Sequence, residues 1–125
     1  MEGALSYRDT SMRLEIAERQ VEPDITVVEL SGNLELGSES QRIEALIEEL
    51  VQRGSRRVVL DMTGVEHIDS AGIGMVALAA GRLRESGGKL AVVAPEGRVL
   101  QLLTMTRMDA IVSVRPTPAE GVAAV

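Results

Sequence analysis

A serine, an aspartate and a histidine lie within four positions near the middle of the chain, at Ser70, Asp69 and His67. In a hydrolase these residue types form a triad in which the histidine takes the serine proton and the acid orients the histidine. Residues so close in sequence cannot easily take that geometry, and Ile68 stands where a nucleophile elbow needs its first glycine. The sequence therefore predicts no catalytic residue, and His67 is interpreted as a loop residue near the site.

Asp69 and Ser70 are placed by their surroundings at a junction between a strand and a helix. The short apolar run at residues 58–60, closed by Asp61, predicts a buried strand. After the serine, apolar residues recur at helical spacing: Ile73, Val76, Ala77, Ala80 and Leu83. Aspartate and serine are preferred helix N-caps, but a helix N-terminus also favours a phosphate. The residues alone favour capping, because capping serines are common, and leave a phosphoacceptor as the alternative.

The residues around this junction form an extended motif, Leu60-Asp61-x-Thr63-x-Val65-x-x-Ile68-Asp69-Ser70-Ala71-Gly72. This motif resembles the signature of the STAS domain of bacterial anti-sigma factor antagonists, and the resemblance covers roughly residue 12 to the C-terminus. In that family the serine after the aspartate is phosphorylated by a partner kinase that is itself the anti-sigma factor. The resemblance thus implies that Ser70 is the phosphoacceptor, with N-capping as a compatible second role.

The resemblance also implies a partner-binding surface around the serine. Glu35 stands where the family usually has the aspartate of a Gly-x-Leu-Asp pattern, so its carboxylate lies one methylene further out. An exposed glutamate at a strand end is an equally good interpretation of Glu35. Met75 fits core filling, and adapts to a partner only if its part of the helix is exposed. The predicted partner-binding residues are Glu35, Asp69, Ser70, Ala71, Gly72, Ile73 and Met75.

Composition excludes several other classes of function. The net charge of −6 argues against nucleic acid and against an anionic membrane surface as partners. We find no apolar run near the ~18 residues of a membrane span, and no secretory signal, so we expect a cytoplasmic protein. One histidine and no cysteine leave only carboxylates as metal ligands, and these are scattered without calcium-loop spacing, so no metal site is predicted. The Gly72-Ile73-Gly74 triplet lacks the third glycine of a dinucleotide motif, so no cofactor is predicted.

The order of predicted elements is β β α β α β α β α, in one domain of residues 12–125 after a flexible N-terminal tail of residues 1–11. The first two strands, at residues 12–21 and 25–30, are expected to form a hairpin. Residues 62–67 are interpreted as a loop, and the last strand is placed at residues 110–114. Alternating strands and helices predict an α/β fold with a mixed, mostly parallel sheet. The STAS resemblance implies helices packed mainly on one side.

These observations lead to a hypothesis of a regulatory binding module rather than an enzyme. The unphosphorylated chain would bind an anti-sigma factor serine kinase and free a sigma factor. Phosphorylation of Ser70 would abolish binding, and a serine phosphatase would reset the switch. Two alternatives stay open: a STAS scaffold subunit of a stress-signalling complex, and an accessory subunit of a transporter. The sequence leaves open whether the protein forms a homodimer.

Overall fold

The structure, a computed structural model, describes residues 14–34 and 38–125. The tail predicted for residues 1–11 and the contact predicted for Glu35 lie outside these residues. Five strands form one sheet in the order β1-β2-β3-β4-β5: β1 Leu14–Glu22, β2 Ile25–Leu34, β3 Arg57–Ile68, β4 Lys89–Val93 and β5 Ser113–Arg115. The helices are α1 Ser38–Gln52, α2 Ser70–Glu85, α3 Arg98–Met105 and α4 Pro118–Ala123.

The sheet topology confirms the predicted α/β fold. β1 and β2 are antiparallel and form the expected hairpin, whereas β2, β3, β4 and β5 run parallel. Parallel neighbours need crossover connections, and α1, α2 and α3 supply them. The sheet is therefore mixed and mostly parallel, as the alternation of strand and helix patterns predicts.

The two faces of the sheet are covered unequally. The main core lies between one face and α1, α2 and α3, and is built from aliphatic side chains such as Leu60 and Leu83. A smaller cluster on the other face lies beneath α4, where Gly121 approaches so closely that a Cβ would meet Val93 Cγ2 at 2.7 Å. Helices therefore pack mainly on one side of the sheet.

One prediction for the middle of the chain is wrong: residues 62–67 are not a loop, because β3 continues to Ile68. β2 runs alongside it, and its end pairs with the end of β3, with Leu34 opposite Ile68. Gly64 permits this pairing, since a Cβ there would lie 2.7 Å from the Cβ of Ser31. Three apolar side chains of the segment are buried: Met62, Val65 and Ile68.

The last strand also differs from its predicted position. β5 begins at Ser113, because a 3-10 turn at Met108–Ala110 precedes it. The turn follows Arg107, which has a left-handed backbone with φ 63°. The carbonyl of Met108 then accepts hydrogen bonds from the N–H groups of Ile111 and Val112, so these residues are not extended.

An ion pair joins α1 to α2. Arg82 Nε donates to Glu48 Oε1 at 2.7 Å, and Arg82 Nη2 donates to Oε2 at 2.9 Å. These hydrogen bonds, followed by the charge of the guanidinium, lower the pKa of Glu48 from its ordinary 4.5. Because the pKa is lowered in the folded state, the pair stabilises the fold above pH 4.5 and stops doing so as pH falls through the lowered value.

Replacement of this carboxylate tests the pair through its pH dependence. Glu48→Gln is expected to be less stable than wild type at neutral pH, and the difference should shrink at a pH well below 4.5. Glu44→Gln, one turn earlier on the same helix, is the control and should change stability at neutral pH less than Glu48→Gln does. Denaturant unfolding at the two pH values measures both differences. A Glu48→Gln deficit that is equal at both would contradict the assignment.

Candidate functional site

The predicted site lies at a corner where β2 and β3 end and α2 begins. Leu34 and Ile68 are paired at the ends of the two strands. The chain then turns directly into α2, and the N–H of Asp69 lies 3.4 Å from the Leu34 carbonyl oxygen. The start of α2 is therefore held against the end of β2 by backbone contact.

Asp69 is the N-cap of α2. Its backbone is extended, with φ −117° and ψ −173°, and its Oδ1 accepts a hydrogen bond from the N–H of Gly72 at 3.0 Å. Its carbonyl accepts the first helical hydrogen bond, from the N–H of Ile73 at 3.0 Å. The cap role predicted as a second function of Ser70 belongs to Asp69, because the helix begins at Ser70 itself, one residue earlier than that role requires.

Ser70 is the first residue of α2 and is exposed. Its hydroxyl makes no hydrogen bond with any residue that the structure describes. The first N–H groups of a helix lack intrahelical acceptors and form the positive end of its dipole. The hydroxyl is thus accessible at a position where added negative charge is tolerated.

The predicted partner-binding residues divide into surface and core. Asp69, Ser70 and Ala71 are exposed or half-buried, whereas Gly72, Ile73 and Met75 are buried. Met75 is only 1% exposed, so its side chain packs in the core of this conformation. The surface of the corner therefore consists of the first two residues of α2 and the cap before them.

Further surface residues extend the corner in directions that the sequence did not indicate. His67 lies at the end of β3, not in a loop, and is paired with Asn33 of β2. Along α2, Gly74 lies one turn after Ser70 and is exposed, and the exposed side of the helix continues beyond the corner to Leu78. The exposed side of an amphipathic helix can usually be recognised in the sequence from its polar residues. In α2 the apolar Leu78 lies on that side, so the pattern is not clear.

Other residues of the signature support the corner rather than line it. The buried carboxylate of Asp61 accepts hydrogen bonds at Oδ1 from the N–H of Thr63 at 3.0 Å and from its hydroxyl at 2.6 Å. These bonds lie in β3 where its register with β2 shifts, between the pairs Asp61–Glu29 and Gly64–Ser31. Asp61 and Thr63 therefore support the irregular middle of β3, before the corner.

Over residues 14–34 and 38–125, the acidic and histidine side chains form no group of three that could hold a metal ion. In the same part of the chain, no helix has the length and apolarity needed to cross a bilayer.

The division of roles between Asp69 and Ser70 predicts different effects of alanine on stability. Asp69→Ala removes the cap and is expected to lower the free energy of unfolding by about 1 kcal/mol. Ser70→Ala removes an exposed hydroxyl and should change it by less than about 0.5 kcal/mol. Asp69→Asn keeps a good cap and serves as control. Urea unfolding of the three variants measures these values, and an equal loss for Ser70→Ala would place the cap at Ser70 instead.

Comparison with known proteins defines the class to which this fold and corner belong. The family model of the STAS domain matches residues 17–121. A candidate anti-sigma factor antagonist of Thermotoga maritima is 31% identical over 97 residues, which cover 76% of this chain and 86% of that protein. The chain belongs to the STAS domain family. STAS antagonists are regulatory binding proteins, and the chain is likewise not an enzyme.

Solved structures agree on the fold. An anti-sigma factor antagonist from Mycobacterium paratuberculosis superposes with a TM-score of 0.76 at 23% identity, covering 90% of this chain and 93% of that one. The phosphorylated form of the Bacillus cell fate determinant SpoIIAA superposes with a TM-score of 0.68 at 17% identity, covering 87% of this chain and 97% of that one.

Proposed function

We propose that this protein is an anti-sigma factor antagonist whose binding is switched by phosphorylation of Ser70. Unphosphorylated, the chain binds an anti-sigma factor serine kinase through the corner at Asp69, Ser70 and Ala71, and the kinase releases its sigma factor. The kinase transfers a phosphate from ATP to the Ser70 hydroxyl, and the complex separates. A serine phosphatase removes the phosphate. Because sigma factors act on transcription, the exchange takes place in the cytoplasm.

The observation that carries the proposal is the exposed hydroxyl of Ser70 at the start of α2, which is not used as the helix cap. A serine whose oxygen accepted the Gly72 N–H would lose a structural bond on modification. Here Asp69 accepts that bond, so modification of the Ser70 hydroxyl does not remove the cap hydrogen bond.

The magnitudes favour a switch of binding over a switch of folding. A phosphate adds a charge of about −1.5 to −2. At a helix N-terminus this charge gains roughly 0.3–1 kcal/mol, so the fold tolerates it. Buried without a partner in a protein interface, the same charge costs several kcal/mol. Modification should therefore weaken the complex while leaving the domain folded.

The relatives support the proposal by their names. The Thermotoga maritima relative is described as a candidate anti-sigma factor antagonist, and SpoIIAA has a phosphorylated form. SpoIIAA shares only 17% identity with this chain, so the comparison with SpoIIAA supports the fold alone.

Capture of binding proteins from a lysate of the source cell, with three baits in parallel, tests the proposal. Wild type, Ser70→Ala and Ser70→Asp serve as baits. We expect an ATP-binding kinase to be retained by wild type and by Ser70→Ala, and to be lost with Ser70→Asp. If all three baits retain the same scaffold or transporter proteins, one of the two alternative functions replaces the antagonist.

A further inference from the structure

A groove of about 390 Å³ runs along the surface between α1 and α2, away from the Ser70 corner. Its apolar lining includes Ile47, Ala77 and Leu78, and Leu78 is 63% exposed. Gly81 borders the groove one turn later, and a Cβ there would meet nothing within 4 Å, so the space beside Leu78 is open. An exposed leucine beside open space is an apolar surface that the described chain does not cover.

The rim of the groove is acidic. Glu44, Glu48 and Glu85 border it, against a single guanidinium, that of Arg82. Arg82 is hydrogen-bonded twice to Glu48 and also interacts with the charge of Glu85, so one guanidinium faces three carboxylates and the rim keeps a net negative charge for a partner. The surface therefore combines one apolar anchor point with negative charge at its edges.

We propose that this groove docks a basic amphipathic helix of a partner protein, which places an aliphatic side chain beside Leu78 and lysines or arginines against Glu44 and Glu85. An amphipathic helix laid into an apolar groove is a recurring mode of recognition. Complementary charge at the rim fixes its orientation and raises the rate of encounter.

The same charges disfavour a second copy of this chain as the occupant. A two-fold symmetric dimer sets identical patches against each other. The carboxylates of Glu44 and Glu85 would then face like charges, in a chain whose net charge is already −6. A partner with basic residues meets no such repulsion.

The docking surface is separate from the phosphorylation switch. Leu78 lies eight residues after Ser70, about two turns or roughly 12 Å along α2. Ser70 does not border the groove. Peptide binding in the groove should consequently be the same for wild type and Ser70→Asp, so failure of one proposal is distinguishable from failure of the other.

A synthetic helical peptide provides the probe: leucines at intervals of four residues, flanked by lysines. It is titrated into the 15N-labelled chain while amide shifts are recorded. We expect shifts along the facing sides of α1 and α2. Leu78→Ser should weaken binding at least about tenfold. Met105→Ser removes an apolar side chain on α3 that is even more exposed than Leu78, and is the control, with unchanged affinity.

A second variant and second peptides sharpen the test. Gly81→Gln places a side chain in the groove without a steric clash, so the domain should stay folded while the peptide is lost. Peptides with glutamates for the lysines, or serines for the leucines, should not bind. The proposal would be overturned by any of three results: amide shifts outside the groove, an affinity of Leu78→Ser equal to that of wild type, or binding of either altered peptide. Dimerisation in sedimentation that Leu78→Ser abolishes would also overturn it.

Discussion

Ser70→Asp is expected to weaken binding of the anti-sigma factor kinase by more than about 100-fold and to leave the melting temperature nearly unchanged. The aspartate places a negative charge on the first residue of α2, beside the Asp69 cap. At that position the helix dipole favours the charge by roughly 0.3–1 kcal/mol. In the complex the charge loses water and costs about 3 kcal/mol or more if the kinase offers it no partner.

Two variants separate charge from shape in this experiment. Ser70→Ala removes the hydroxyl without adding charge and should keep affinity within a few-fold of wild type. Gln101→Glu adds the same charge on the exposed surface of α3, outside the corner, and should also keep affinity. Calorimetric titration against the purified kinase gives the three dissociation constants. Equal weakening by Gln101→Glu would mean that net charge, not the Ser70 corner, controls binding.

Gly72→Ala is expected to cost about 1–3 kcal/mol of stability. A Cβ at this position would lie 2.6 Å from the carbonyl oxygen of Leu34 and 2.8 Å from Ile68 Cγ1. The carbonyl belongs to the backbone of β2, so the start of α2 must move to relieve the contact. Because Asp69 and Ser70 are carried on that start, kinase binding should fall with stability.

Gly74→Ala, two residues later, is the matched control for the same substitution. A Cβ at Gly74 meets nothing within 4 Å, so the alanine is not strained. It should stabilise the helix by about 0.5–1 kcal/mol, because glycine in a helix interior is unfavourable. Urea unfolding of both variants measures the difference. Changes of the same sign would show that α2 does not pack on β2 as described.

The alternation of strand and helix was predictable because the apolar residues recur at strand spacing in the strands and at helical spacing in the helices. The hairpin of β1 and β2 follows from alternating residues around Pro23, and α4 from Thr117, Pro118 and Glu120. In α4, Thr117 Oγ1 accepts the Glu120 N–H and its hydroxyl donates to the Glu120 carboxylate. These elements are determined by residues close together in the sequence, and tertiary contacts did not alter them.

The errors arise where a distant segment decides the local structure. Residues 62–67 became strand because β2 runs alongside them as far as Leu34, which their own sequence does not reveal. Met75 shares the buried face of α2 with Val76, Ala79 and Leu83, so its burial follows the helical period, as core filling requires.

Asp69 and Ser70 are both good caps, and only the backbone shows which one is extended. Sequence therefore located the corner but not the division of roles between the two residues. That division matters for the proposed switch, because it leaves the Ser70 hydroxyl free for modification.

The central claim is that Ser70 is the phosphoacceptor that controls partner binding, and mapping the phosphate tests it most directly. The chain is incubated with ATP and the captured kinase, digested, and sequenced by tandem mass spectrometry, with Ser70→Ala alongside. We predict one phosphate, on Ser70, none on Ser70→Ala, and loss of kinase binding in proportion to phosphate incorporated. A phosphate on Ser38, Ser40 or Thr63, or a fully phosphorylated chain that still binds the kinase, would contradict the account.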